Sequence, residues 1–339
     1  MELKDEALRN VVAAFGLLAV IAYGVLAGAD FGGGIWDLFA GGPRREQQRA
    51  AIAKAMGPVW EANHVWLIFL IVIIFTAFPA AYAALSLGLF GLFHFVLLGI
   101  SLRGAAFVFR GEQGPEGGRH WGTIFGASSV ITPVLLGMVA GAVSSGHFRV
   151  VDGNVRIEGP TPWLAPVSLM IGSLALALCA YLAAVYLTIE TEGELQEDFR
   201  KRGLYVGMVA SALTILTLPL LFLETPHLWS NLTSPKAAPV VGGGLTAAVV
   251  SLWSLANRRF RLARVAAIAQ VTLLLLGWGL AQHPFIIYPD VTLASSSAPR
   301  ATLLFVVYAV PLGMAVLLPS LWLLFKVFKS PSTVEESGH

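Results

Sequence analysis

Asp30, Glu61, His64 and Arg103 are the side chains of this sequence that could do chemistry, because each stands in a strongly apolar stretch. An ionisable group at membrane depth costs about 2.5–3.5 kcal/mol or more, so it is kept for a partner or a task. Two carboxyls and one guanidinium can neutralise one another. A carboxyl in a poorly solvated place can also take up a proton and pass it on. Glu61 and His64 are three residues apart and share a helix face. The chemistry expected is proton transfer or charge balance, set against a plain ion pair between Arg103 and one carboxylate. Trp60, Asn63 and Trp66 interleave with Glu61 and His64. Asn63 can hydrogen-bond between helices, and the two indoles suit helix–helix, subunit or membrane-interface contacts.

The elements that must hold these residues are membrane spans. The chain of 339 residues is 56% hydrophobic and only 12% charged, and its mean hydropathy is +0.75. Soluble domains carry about a quarter of their residues charged. A net charge of +2 excludes nucleic acid as a partner, and the single cysteine, Cys179, cannot form an internal bridge. A span needs roughly 20 mostly apolar residues. Nine stretches qualify: 11–33, 58–78, 82–103, 122–145, 163–187, 204–223, 239–256, 263–282 and 302–325. The expectation is an all-α polytopic membrane protein, one integral domain over 1–329 with a disordered tail over 330–339. The acidic residues Glu2, Asp5 and Glu6 before the first span argue against a signal peptide. Of 22 Lys and Arg, fifteen fall in segments after odd-numbered spans and six on the other side. By the positive-inside rule the N-terminus lies outside and the C-terminus in the cytoplasm. Asp30 near the end of the first span, Glu61 in the first turn of the second and Arg103 closing the third then share the cytoplasmic half.

Other motifs resolve into packing. Gly32-Gly33-Gly34 lacks the strand and acidic partner of a dinucleotide site. Gly24, Gly28 and Gly32, and the pairs Gly122/Gly126 and Gly137/Gly141, have the spacing of close helix contacts. Phe148–Glu158, around Asp152-Gly153-Asn154, predicts a β-hairpin outside the membrane. His94 has an imidazole suited to haem, but no second spaced ligand, and is expected to be a hydrogen-bonded core histidine; it lies nine residues, half a turn out of phase, from Arg103. No His, Cys, Asp and Glu set has metal-ligand spacing.

Three segments together resemble a known family: Ala27–Gly34 (AGADFGGG), Pro58–Ile68 (PVWEANHVWLI) and Phe78–Ala83 (FPAAYA). With Leu102–Arg110 (LRGAAFVFR), Gly193-Glu194-Leu195 and His283-Pro284-Phe285, they resemble subunit II of the cytochrome bd-type quinol oxidases. The resemblance implies nine helices in two four-helix bundles plus one peripheral helix, in the cytoplasmic (inner) membrane. It implies a haem-carrying subunit I as partner, which holds haem b and haem d and oxidises quinol while dioxygen is reduced. It implies that this chain ligates no haem, with a quinone or lipid as its own bound molecule, and lends polar residues to a proton path. Asp30, Glu61 and Arg103 then match the family's motif positions. Ala27 and Val108 stand where the family's pattern has acids, and His64 is an added imidazole.

Two further readings compete with the oxidase subunit: a proton- or cation-coupled secondary transporter, and a purely structural membrane subunit. No inverted repeat supports the transporter. The charge asymmetry makes a direct prediction: a cytoplasm-active reporter fused after Lys329 is active, and a reporter active only outside the cell there overturns the topology.

Overall fold

The computed structural model describes residues 2–109, 115–151, 153–157 and 161–329, without the side chains of 2–4, 56–62, 115–119 and 324–329. Long helices dominate: α1 (Glu2–Leu38), α2 (Arg45–Ala77), a short α3 (Pro79–Gly88), α4 (Phe90–Phe109), α5 (Pro115–Ser144), α6 (Pro166–Glu190) and α7 (Gly193–Glu224). After a short α8 (Pro226–Leu232) come α9 (Ala238–Ala256), α10 (Phe260–Gln282), the single turn α11 (Leu293–Ser296) and α12 (Arg300–Lys329). Among the described residues eight helices are long and apolar enough to cross a membrane, or nine when the bent pair around Phe78 counts as one. With no water in the bilayer core, every backbone polar group must be satisfied within its own segment, which is why the spans are helical.

The helices pack as two groups. α1, α2, α4 and α5 form one and α6, α7, α9 and α10 the other, joined by α1 and α5 against α6. α12 touches chiefly α1 and α2 and is the peripheral helix. Close approach is set by glycine. A Cβ at Gly32 would overlap the Cys179 carbonyl on α6, and one at Gly28 would lie 2.8 Å from Leu182. Gly137 and Gly141 of α5 meet Gly172 and Ser168 of α6 in the same way. Gly24, Gly28, Gly32, Gly137 and Gly141 thus line the seam between the two bundles, while Gly126 packs on Leu38 of α1 within the first.

The third span departs from its expected bounds. It begins at Phe90 rather than 82, because the chain leaves helical conformation at Leu89, with φ −111 and ψ 22. Pro79 makes an earlier break, driving Phe78 to φ −133 and ψ 59, and α3 turns through 117° from α2. α1, α2, α5 and α7 begin well before their apolar segments, since hydropathy registers only the part of a helix that prefers lipid. Asp30, Asn63 and Arg103 therefore stand well inside α1, α2 and α4, not at helix ends.

One end of the molecule carries the arginine-rich loops: Arg44 binds Asp198 and Glu194, and Arg200 binds Glu197. The other carries two small antiparallel pairs. β1 (Phe148–Val151) and β2 (Asn154–Ile157) form the expected hairpin, with Val151 opposite Asn154 and Gly153 at φ +74. Asp152 and Glu158 lie outside the described residues. β3 (Phe285–Ile287) and β4 (Val291–Thr292) form the second. Arg149 clamps Asp290 with two hydrogen bonds, which hold that carboxyl below the usual range. The tail 330–339 lies outside the described residues.

The seam predicts an asymmetry between glycines. Gly32→Ala should cost about 1–3 kcal/mol through overpacking. Gly242→Ala in α9, with open space around it, should be neutral or gain about 0.5–1 kcal/mol. Thermal midpoints of the purified variants in detergent check this, and equal midpoints contradict the seam.

Candidate functional site

The centre of the first bundle is a buried ion pair. Asp30 of α1 and Arg103 of α4 are 1% and 2% exposed. Arg103 Nη1 donates to Asp30 Oδ2 at 2.7 Å, and Nη2 to Oδ1 at 2.6 Å, a bidentate contact. Nη2 also donates to the Asp30 carbonyl at 3.0 Å, and Nε to Ser129 Oγ on α5 at 3.0 Å. The planar guanidinium alone among side chains can fill this fork while stacking on rings. Its Cζ lies over two aromatic rings, 5.0 Å from the Phe31 centroid and 4.8 Å from that of Phe125. Asn63 of α2 completes the set, donating to Asp30 Oδ2 at 2.6 Å. The carboxylate and its guanidinium together thus tie all four helices of the bundle, Ser129 of α5 through Arg103.

Local sequence makes room for this. A Cβ at Gly34 would overlap Ser129 Oγ, and one at Gly99, a turn before Arg103, would overlap Thr132 Oγ1. Glycine at both positions lets α1 and α4 approach α5 closely enough for Ser129 to meet the guanidinium. Ser129 in turn donates to the Phe125 carbonyl at 2.7 Å. Asn63 Oδ1, Trp66 Nε1 and Thr132 Oγ1 are buried without a hydrogen-bond partner among the described residues. Such atoms are rare in folded proteins and mark places where a polar visitor would be welcome.

The structure brings Asp30, Asn63 and Arg103 into contact. His64 follows Asn63, half-buried, and has interactions of its own. Trp66 is buried, edge-to-face with Phe69 at 6.3 Å. The side chains of Trp60 and Glu61 lie outside the described residues. The sequence left open which carboxylate would meet Arg103; among the described residues it is Asp30. His94 is a correction. It is exposed on the outer face of α4 rather than in the core, with Nδ1 2.7 Å from the Phe90 carbonyl. Among the described residues no group of three or more His, Cys, Asp or Glu could hold a metal ion.

Sequence reasoning missed Ser129, the rings of Phe31 and Phe125 beside Arg103, and Asp37. Asp37 lies seven residues after Asp30 on the same face of α1, is 1% exposed, and has Arg49 Nε 3.8 Å away. Its signal was that spacing, together with the apolar residues Ile35, Trp36 and Leu38 around it.

Comparison with known proteins gives a consistent picture. A family model described as cytochrome bd terminal oxidase subunit II matches residues 8–328. A Bacillus subtilis (strain 168) protein assigned as a cytochrome bd menaquinol oxidase subunit II is 24% identical over 342 residues, covering 97% of each chain. The cytochrome bd ubiquinol oxidase subunit 2 of the same organism is 33% identical over 190 residues, 55% of each chain. The bd oxidase from Geobacillus thermodenitrificans shares the fold, with a TM-score of 0.81 at 23% identity, over 95% of this chain and 99% of that one.

Removing one member of a desolvated ion pair leaves the other uncompensated, at a cost of about 3–5 kcal/mol. Asp30→Ala and Arg103→Ala should each lower the thermal midpoint strongly, while Asp30→Ala with Arg103→Met should recover most of the loss. Additive losses in the double variant contradict the coupling.

Proposed function

The chain belongs to the cytochrome bd terminal oxidase subunit II family, and from that premise we propose that it supports proton delivery to the oxygen-reducing site of a quinol oxidase complex. The complex is an oxidoreductase, and this chain is its multi-pass membrane subunit. In the proposal subunit I carries haem b and haem d, oxidises quinol and reduces dioxygen. This chain ligates no haem, lies in the cytoplasmic membrane with its N-terminus outside, and stabilises its partner.

The carrying observation is the Asp30–Arg103 pair with Asn63 and Ser129, buried where four helices meet. A carboxylate engaged by three side-chain donors is committed to accepting hydrogen bonds. Its part is to fix the charge and position of Arg103. Proton exchange then falls to Glu61 and His64, which sequence spacing puts beside Asn63 on α2. Unpartnered Asn63 Oδ1 and Thr132 Oγ1 support a polar route along this face, since they could receive bridging water. Asp37, two turns along α1 toward the arginine-rich end, and Arg49 near the start of α2, 3.8 Å from it, support an entry on that side. A structural reading competes: the saturated ion pair could serve helix register alone.

Glu61→Gln keeps shape and hydrogen-bonding capacity but cannot exchange a proton. It should slow quinol-driven oxygen consumption about tenfold or more, within the range of one lost acid–base group. The reduced-minus-oxidised haem spectrum of the purified complex should be unchanged. Wild-type turnover across pH sinks the proton role and leaves the structural one. Absence of any haem-bearing partner in the purified complex sinks the oxidase assignment itself.

A further inference from the structure

A cleft of about 520 Å³ opens at the arginine-rich end, between the end of α6, the start of α7 and the α9–α10 turn. Thr188, Gln196, Arg258, Arg259, Arg261 and Leu262 line it, three arginines and no acid. Glu197, next to Gln196 in the chain, is engaged by Arg200 at 2.6 Å and also pairs with Arg258 at 3.5 Å. Among the described residues no carboxylate pairs with Arg259 or Arg261; Arg259 lies over the Trp253 ring at 4.8 Å.

The turn itself is built to present these groups. Arg259 N donates to the Ser254 carbonyl at 2.8 Å and Arg258 N to that of Leu255 at 3.3 Å, the Schellman end of a helix. Its left-handed position favours glycine, yet Arg258 occupies it at φ 57. A side chain held against backbone preference is a signal of use. α10 starts directly after, with no side-chain cap at Arg259, and its first residues Phe260, Arg261 and Leu262 line the cleft, where an uncapped helix start favours an anion. From Leu262 the exposed residues Val265 and Ile268 continue down α10 at helical spacing. They form an apolar track leading from the basic cleft along a membrane span.

We propose that this cleft binds the phosphate of an anionic membrane phospholipid, with Arg258, Arg259 and Arg261 on the headgroup and the acyl chain along Leu262, Val265 and Ile268. The chemistry shared with free phosphate is an oxyanion held by guanidinium groups. The apolar track is what favours the lipid. Basic pockets between spans at a membrane surface have this composition. The site is separate from the Asp30–Arg103 centre and stands whether or not that centre carries protons.

The test uses the full chain in its purified membrane complex, delipidated in a neutral detergent and titrated with phosphatidylglycerol, phosphatidylcholine or inorganic phosphate while the thermal midpoint is followed. Phosphatidylglycerol should raise the midpoint saturably and phosphatidylcholine should not. Arg258→Gln with Arg259→Gln and Arg261→Gln should raise the half-saturating concentration at least about fivefold. Arg258→Gly, which suits the left-handed turn, should keep or raise the lipid-free midpoint while weakening the lipid response; it carries the test if the triple variant fails to fold. Equal responses in wild type and both variants overturn the site, as does an equal response to phosphatidylcholine. Saturation by inorganic phosphate that abolishes the phosphatidylglycerol response assigns the cleft to free phosphate and overturns the lipid.

Discussion

The bidentate contact between Arg103 and Asp30 is the constraint on which the first bundle depends. A guanidinium with no water around it must find its hydrogen-bond acceptors within reach, and here they come from α1 and α5. The geometry tolerates little sliding: moving α4 by one turn along α1 would carry Arg103 about 5.4 Å away. The pair therefore fixes helix register in an environment where apolar packing gives little preference for one register over another. The two phenylalanine faces exclude competing acceptors and add cation–π attraction.

Glycine makes the ion pair possible and then links it to the rest of the molecule. α1 bears small residues on two faces. Gly34 admits Ser129 on one side, and Gly28 and Gly32 admit α6 on another. The helix that carries the buried carboxylate is thus also the helix through which the two bundles touch. The second bundle has no comparable buried ion pair among the described residues. A buried polar contact at its centre is neutral, Tyr181 Oη and Ser251 Oγ at 2.6 Å. Among the described residues the buried charges Asp30, Asp37 and Arg103 all stand in the first bundle, and the charges of the second lie toward its surface.

Much of this was legible in the sequence. Apolar run lengths gave the spans, the glycine spacing gave close helix contacts but not which helices meet there, and Asp152-Gly153-Asn154 gave the hairpin. The meeting of Arg103 with a carboxylate from an earlier span followed from cost alone, since an unpaired guanidinium could not be retained there. The choice of Asp30 was not legible, because spacing fixes the angle of a residue on its own helix but not the neighbour it faces. Helix ends were misjudged for a related reason. Hydropathy measures preference for lipid, and helices such as α1 and α2 continue through polar residues that have none. His94 shows the same limit in reverse. Its half-turn offset from buried Arg103 placed it on the opposite face, and that face is the exterior of the chain.

α12 makes its contacts with α1 and α2, so the last long helix of the chain covers the first two. During synthesis these early helices enter the bilayer long before their cover exists. The closure linking them spans nearly the whole sequence, a pairing of high contact order that forms late. Until α12 arrives, the outer sides of α1 and α2 are open to lipid or to another chain.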